Sequence, residues 1–212
     1  MKNQLKTTSF RSSTLKRAKY WLPSLILGGV VLGSPVWAAA ATTSTTVSST
    51  LGSVISLLSS NGTVNANVTP TGSGAQTIAS DTVTVSTNDA SGYTLQLAET
   101  TGTSALTSGG NTIPASSGTQ GTPAAMSVNT WGYRIDGVGG FGAGPTSSAS
   151  SSAISGTIKF AAVPATASPN TLKTTATTAA NDTTTVWYGV AANTSQASGT
   201  YTNSVTYTVT AN

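Results

Sequence analysis

Apolar and polar residues alternate one for one in a series of short stretches along this chain. In "DTVTVST" (81–87) Val83 and Val85 fall on one side and threonines on the other; "YTLQL" (93–97) aligns Tyr93, Leu95 and Leu97. "WGYRI" aligns Trp131, Tyr133 and Ile135, "TIKFA" aligns Ile158 with Phe160, and "VWYGV" aligns Val186, Tyr188 and Val190. Across 200–210 Tyr201, Val205, Tyr207 and Val209 face one way, against a Thr/Ser series on the other. A strand turns over at every residue, so a period of two written in β-branched and aromatic side chains predicts half-buried antiparallel strands. Several such strands between Gly, Asn and Ser turns predict an all-β fold, an antiparallel β-sandwich of immunoglobulin-like or jelly-roll-like form. The stretch 51–58, "LGSVISLL", reads equally as a helical turn or two or as a strand.

The N-terminus follows a different pattern. Six basic residues, Lys2, Lys6, Arg11, Lys16, Arg17 and Lys19, precede the apolar run "YWLPSLILGGVVLGSPVWAAAA". A basic region, a short apolar core and small residues with Val36 and Ala38 before the cut read as a signal peptide over 1–38. The core is shorter than the roughly 20 residues of a membrane span, and Pro35 interrupts it, so cleavage and no membrane attachment afterwards are expected. Residues 39–50, "AAATTSTTVSST", read as a flexible lead-in, and 51–212 as a single sandwich domain. Two Gly/Ser/Thr-rich stretches near 107–123 and 137–152 are expected as long loops, the second holding Phe141 among glycines.

Taking off the leader reverses the charge. The whole chain carries +4, but from residue 39 onward Asp81, Asp89, Glu99, Asp136 and Asp182 outnumber Arg134, Lys159 and Lys173, a net −2. Three scattered cations make no phosphate-binding patch, so nucleic acid is not an expected partner. The chain has no cysteine and no histidine, which excludes disulfides, thiolate metal sites and imidazole chemistry. Asp89, Asp136 and Asp182 sit in turn-like contexts and Glu99 ends a strand, where solvation is expected. Without a D-x-D-x-D-G run a calcium site is not expected, nor any other metal or cofactor, and no catalytic residue is assigned. Lys159 is read as a solvent-face or edge lysine rather than as one half of an amide cross-link to Asn203.

The best candidates for recognition are aromatic. Trp131, Tyr133 and Phe141 frame the second Gly-rich loop, and Trp187 lies on the face opposite Val186, Tyr188 and Val190, so it is either exposed or covered by a further layer. These four are the candidate binding residues, with packing in the core as the competing use of the same rings.

Two stretches carry a family resemblance. "VTVSTNDASGYTLQL" and "ASGTYTNSVTYTVT" are similar to the motifs of the WxL domain, a secreted module that attaches non-covalently to the cell wall of Gram-positive bacteria. Tyr93-Thr94-Leu95 and Tyr207-Thr208-Val209 occupy the W-x-L positions, with tyrosine where the family has tryptophan. The resemblance implies a secreted, extracellular or surface-associated protein whose partners are cell-wall polysaccharide or peptidoglycan, or a glycan of a host or neighbouring cell. A non-catalytic protein that associates with the wall or mediates adhesion is therefore expected. The alternatives are a fimbria-like or surface-layer subunit that self-associates by strand pairing through "TTVSST" or the last strand, and, third, a carbohydrate-binding module.

Overall fold

A computed structural model describes residues 43–212, and the leader expected over 1–38 lies outside them. Residues 1–48 and 49–212 are separate units; the second holds every strand named below. Among the described residues there is no helix, and the ambiguous stretch at 51–58 resolves as a strand, β1 (Ile55–Ser59).

The first sheet is built on two long neighbours, β2 (Ala75–Thr87) and β11 (Ala179–Ala192), paired antiparallel over their whole length. On the far side of β11 lies β7 (Thr130–Ile135). The far side of β2 is shared by β1, opposite 83–87, and by β8 (Ala149–Ser151), opposite 76–78. The second sheet has three strands, β10 (Asn170–Thr174), β3 (Tyr93–Glu99) and β12 (Val205–Ala211), with β3 in the middle. Every strand pair is antiparallel, and the fold is the all-β sandwich that the alternating pattern predicts. Within 107–123, β4 (Leu106–Ser108) and β5 (Asn111–Ile113) make a hairpin.

The core lies where the inner faces of the two sheets meet. Val83, Val85, Tyr133 and Val186 from the first pack against Tyr93, Leu95, Leu97 and Leu172 from the second. The period of two dictates which residues enter, since a slip by one would turn every threonine inward.

The centre of β11 is buried on both faces, because β6 (Ala124–Ala125) and β9 (Lys159–Phe160) cover the outside of the first sheet. Ile78, Met126, Phe160, Trp187 and Ala191 form a second apolar cluster there. The contact is close because β11 offers Gly189 at that point. A Cβ on Gly189 would stand 2.6 Å from the Phe160 ring and 2.9 Å from the Met126 sulfur.

The turn before β3 needs its glycine for a different reason. Gly92 has φ +82°, and a Cβ there would run into the Thr175 carbonyl. The Asp89 carboxylate accepts a bond from the Ser91 amide and shapes the same turn, as its context predicts.

Candidate functional site: a groove beside the last strand

The structure places all four candidate aromatic residues inside. Trp131 is 4%, Tyr133 0%, Phe141 2% and Trp187 7% exposed. Trp131 donates its indole N–H to the Ser104 carbonyl, and the Tyr133 hydroxyl donates to Gln120 Oε1 and accepts from Asn170. Phe141 meets Tyr133 edge to face, with ring centroids 5.9 Å apart. Trp187 has its further layer, the one built on Phe160. No ring of the four offers a face for stacking on a sugar.

The loop around Phe141 is ordered by a group that the sequence reading passed over. Arg134 points to the outer face of β7 and is fully buried. Its guanidinium donates to Asp136 at 2.6 Å, to the carbonyls of Phe141 and Gly142, and to that of Lys159, and stands 5.8 Å over the Phe141 ring. A planar cation with five donors suits this crowd of backbone acceptors. Lys159 itself is exposed, and the Asn203 amide donates to the Thr103 and Ala105 carbonyls. Glu99, expected in solvent, is only 5% exposed; its position on the inner side at the end of β3 puts it under cover.

Of the family-motif positions, Tyr93 and Leu95 are fully buried, whereas Tyr207 and Val209 are half-buried. The difference is one of place. Tyr93 and Leu95 lie on the central strand of the second sheet, and Tyr207 and Val209 on its edge.

Beside that edge is a cavity of about 880 Å³. Its floor is Trp131, Tyr188 and Val190 of the first sheet, one wall is Val205 and Tyr207, and the other wall is the chain running from Thr63 to Val68. This second wall belongs to no ladder, its Asn67 carbonyl accepts from the Thr77 hydroxyl at 2.7 Å, and its burial alternates as in a strand, with Val64, Ala66 and Val68 half-buried and Asn65 and Asn67 exposed. The signal was present in "TVNANVT", but an alanine and two asparagines keep its apolar content low.

The start of that wall is held by Asp81. Asp81 sits on the inner face of β2, opposite Val186, and is 2% exposed. It accepts bonds from the Ser59 hydroxyl at 2.6 Å, the Ser60 hydroxyl at 3.0 Å and the Asn61 amide at 3.1 Å, and so anchors the turn that follows β1. A buried carboxylate carrying three donors is stabilised as an anchor. At the cavity floor the hydroxyls of Tyr188 and Tyr207 meet at 2.8 Å. Burial first, and the neighbouring Asp81 charge with it, pushes both phenols well above their ordinary range, so both stay neutral.

Among the described residues no backbone bond reaches the outer edge of β12. The Asn212 amide donates to the Gly92 carbonyl and the Thr100 amide to that of Ser204, so even-numbered residues of this segment bond toward β3. In an antiparallel pair the intervening residues turn their N–H and C=O groups the other way. Val205, Tyr207, Val209 and Ala211 thus aim side chains inward and backbone groups at the free edge.

Two other edges are managed, whereas β1, "ISLLS", ends the first sheet without charge, proline or bulge and leaves Leu57 and Leu58 exposed. β10 carries a bulge between Thr171 and Lys173, and the lysine itself. The outer edge of β7 bonds to Pro114, Ser116 and Ala161. β12, "VTYTVTA", has no charge, no proline and no bulge, the devices that normally keep an edge from pairing.

No family model, curated protein or solved structure matches the chain.

Proposed function

We propose that the chain is an exported, non-catalytic component of a bacterial cell surface that joins other polypeptides by accepting a strand at the free edge of β12. The observation that carries the reading is the edge itself: seven residues without charge, proline or bulge, beside a cavity of about 880 Å³ walled on its other side by residues 63–68, which belong to no strand. Strand addition supplies affinity through main-chain bonds and selectivity through alternate side chains, and a groove beside an edge strand suits it. The N-terminal pattern supports export. Burial of Trp131, Tyr133, Phe141 and Trp187 favours strand addition over sugar stacking as the mode of attachment.

The test is the native mass of the full chain, followed by light scattering across a range of concentrations, beside Thr208→Lys. Thr208 is exposed on the outer face of β12, so the change should leave folding intact while placing a charge on the edge. Concentration-dependent assemblies in the parent chain that Thr208→Lys abolishes are expected. A strict monomer retained on purified peptidoglycan would overturn the reading in favour of direct wall binding.

A further inference from the structure

We infer that the strand accepted by this groove is Thr45–Leu51 of a second copy of the same chain, with Val47 and Leu51 seated in the cavity. The inference rests on the strand-accepting role proposed above and names the donor.

The donor is an exposed segment that lies outside every strand. "TTVSSTL" places Val47, Ser49 and Leu51 on one face with polar or small residues on the other. In the structure Val47 is 90% and Leu51 80% exposed, and among the described residues Thr45–Leu51 belongs to no strand, while Gly52 and Ser53 bond to Asn88 and Asp89. Residues 45–51 match the seven residues of β12 in length, about 23 Å at the rise of a strand. Neither wall nor donor has a charged side chain at the contact: Thr45–Leu51 holds none, and neither do β12 and residues 63–69. An inserted strand would bond the outward backbone groups of β12 and lay its apolar side chains against Val64, Ala66 and Val68.

A second copy is favoured over the chain's own segment by the tether before β1. Asn88 holds the Gly52 carbonyl at 2.9 Å and the Val54 amide at 2.7 Å, and its own amide donates to the Val54 carbonyl. This fixes residues 52–54 at the Thr87 end of β1, whereas the cavity opens at the Ser59 end, a full strand away. To double back, the chain would need a four-residue turn against the tether, which would consume Ser48–Leu51 and with it one of the two anchors.

The experiment uses the full chain, the variant Val47→Asp/Leu51→Asp and a synthetic peptide of residues 45–51. Both substituted residues are exposed, so the isolated fold should be unaffected. Loss of two buried apolar side chains, with a charge in place of each, should weaken association by at least about a hundredfold. The peptide should bind the Val47→Asp/Leu51→Asp chain and fail to bind it once Thr208→Lys is added.

If Val47→Asp/Leu51→Asp assembles as the parent does while Thr208→Lys does not, the donor is wrong and the β12 edge stands. If neither variant changes assembly, the edge reading falls as well. A parent chain that stays monomeric but loses thermal stability on Leu51→Asp would place the segment in its own groove and overturn the second copy as donor.

Discussion

Arg134 shows how one side chain can set a loop that composition alone describes as loose. Nothing in "GVGGFGAGPTSSASSS" provides the apolar content to hold it, yet Phe141 is buried beneath the guanidinium, and the carbonyls of Phe141 and Gly142 accept from it. Removing a buried cation from its acceptors strands them, so Arg134→Ala should cost about 3–5 kcal/mol in denaturant unfolding. Arg134→Lys should recover only part, since an ammonium cannot present the planar fork. Hydrogen exchange across 137–144 would tell whether the loop loosens with it. The arginine was legible in sequence as an alternation partner of Tyr133, but not as buried, because its cover comes from residues that follow it by several positions and from Lys159.

At the scale of elements, the long strands divide according to what covers them. β11 reads in sequence as "VWYGV", an alternation with Trp187 on the wrong side, and only the β6–β9 layer explains the tryptophan. Gly189 is where that layer comes closest. Gly189→Ala should cost about 1–3 kcal/mol, because the new methyl must displace Phe160 or Met126 from a packed cluster, and a denaturation series against the parent would measure it. β12 was legible as a strand and its facing was right, but not as an edge, since strand order is set by which neighbours pair. Ala-Ser-Gly occurs twice, at 90–92 and 197–199; the first opens a strand, with Gly92 at positive φ, whereas after Gly199 the chain bridges to Thr107 and β12 begins only at Val205.

Over the whole molecule, stability should be level through mid-range pH and fall at both ends. The chain has no histidine, so nothing of the ordinary kind titrates between about pH 5 and 8. On the acid side, burial works to raise the Asp182 carboxyl, but bonds from Lys173 and from the Tyr93 hydroxyl outweigh it and hold the group below its ordinary 3.8. A depressed carboxyl contributes stability above its unfolded value, and that contribution is lost as pH falls through the folded one. On the alkaline side, burial raises Tyr133 to about 12 and Tyr188 and Tyr207 further. Groups raised in the fold contribute fully below the unfolded value and cease to as pH climbs through the folded one, so loss should begin near pH 10, the ordinary tyrosine value. Denaturant midpoints measured against pH should show this plateau, with the acid limb reduced in Asp182→Asn and the alkaline limb in Tyr207→Phe.

The sequence by itself determined the class of fold and the facing of most strands, because a period of two in a cysteine-free, Thr-rich chain has one economical solution: pairs of sheets with the apolar side between them. It also offered "TTVSST" within the lead-in as a segment able to pair with a strand edge. What it left open was every question of neighbourhood. Whether an aromatic ring binds or packs, whether Trp187 is covered and which strand ends a sheet depend on contacts between residues far apart in the chain, and no local pattern encodes them. Tertiary structure decided that the rings are core, that Arg134 is a clamp, and that the second sheet stops at β12 with its edge and its groove open.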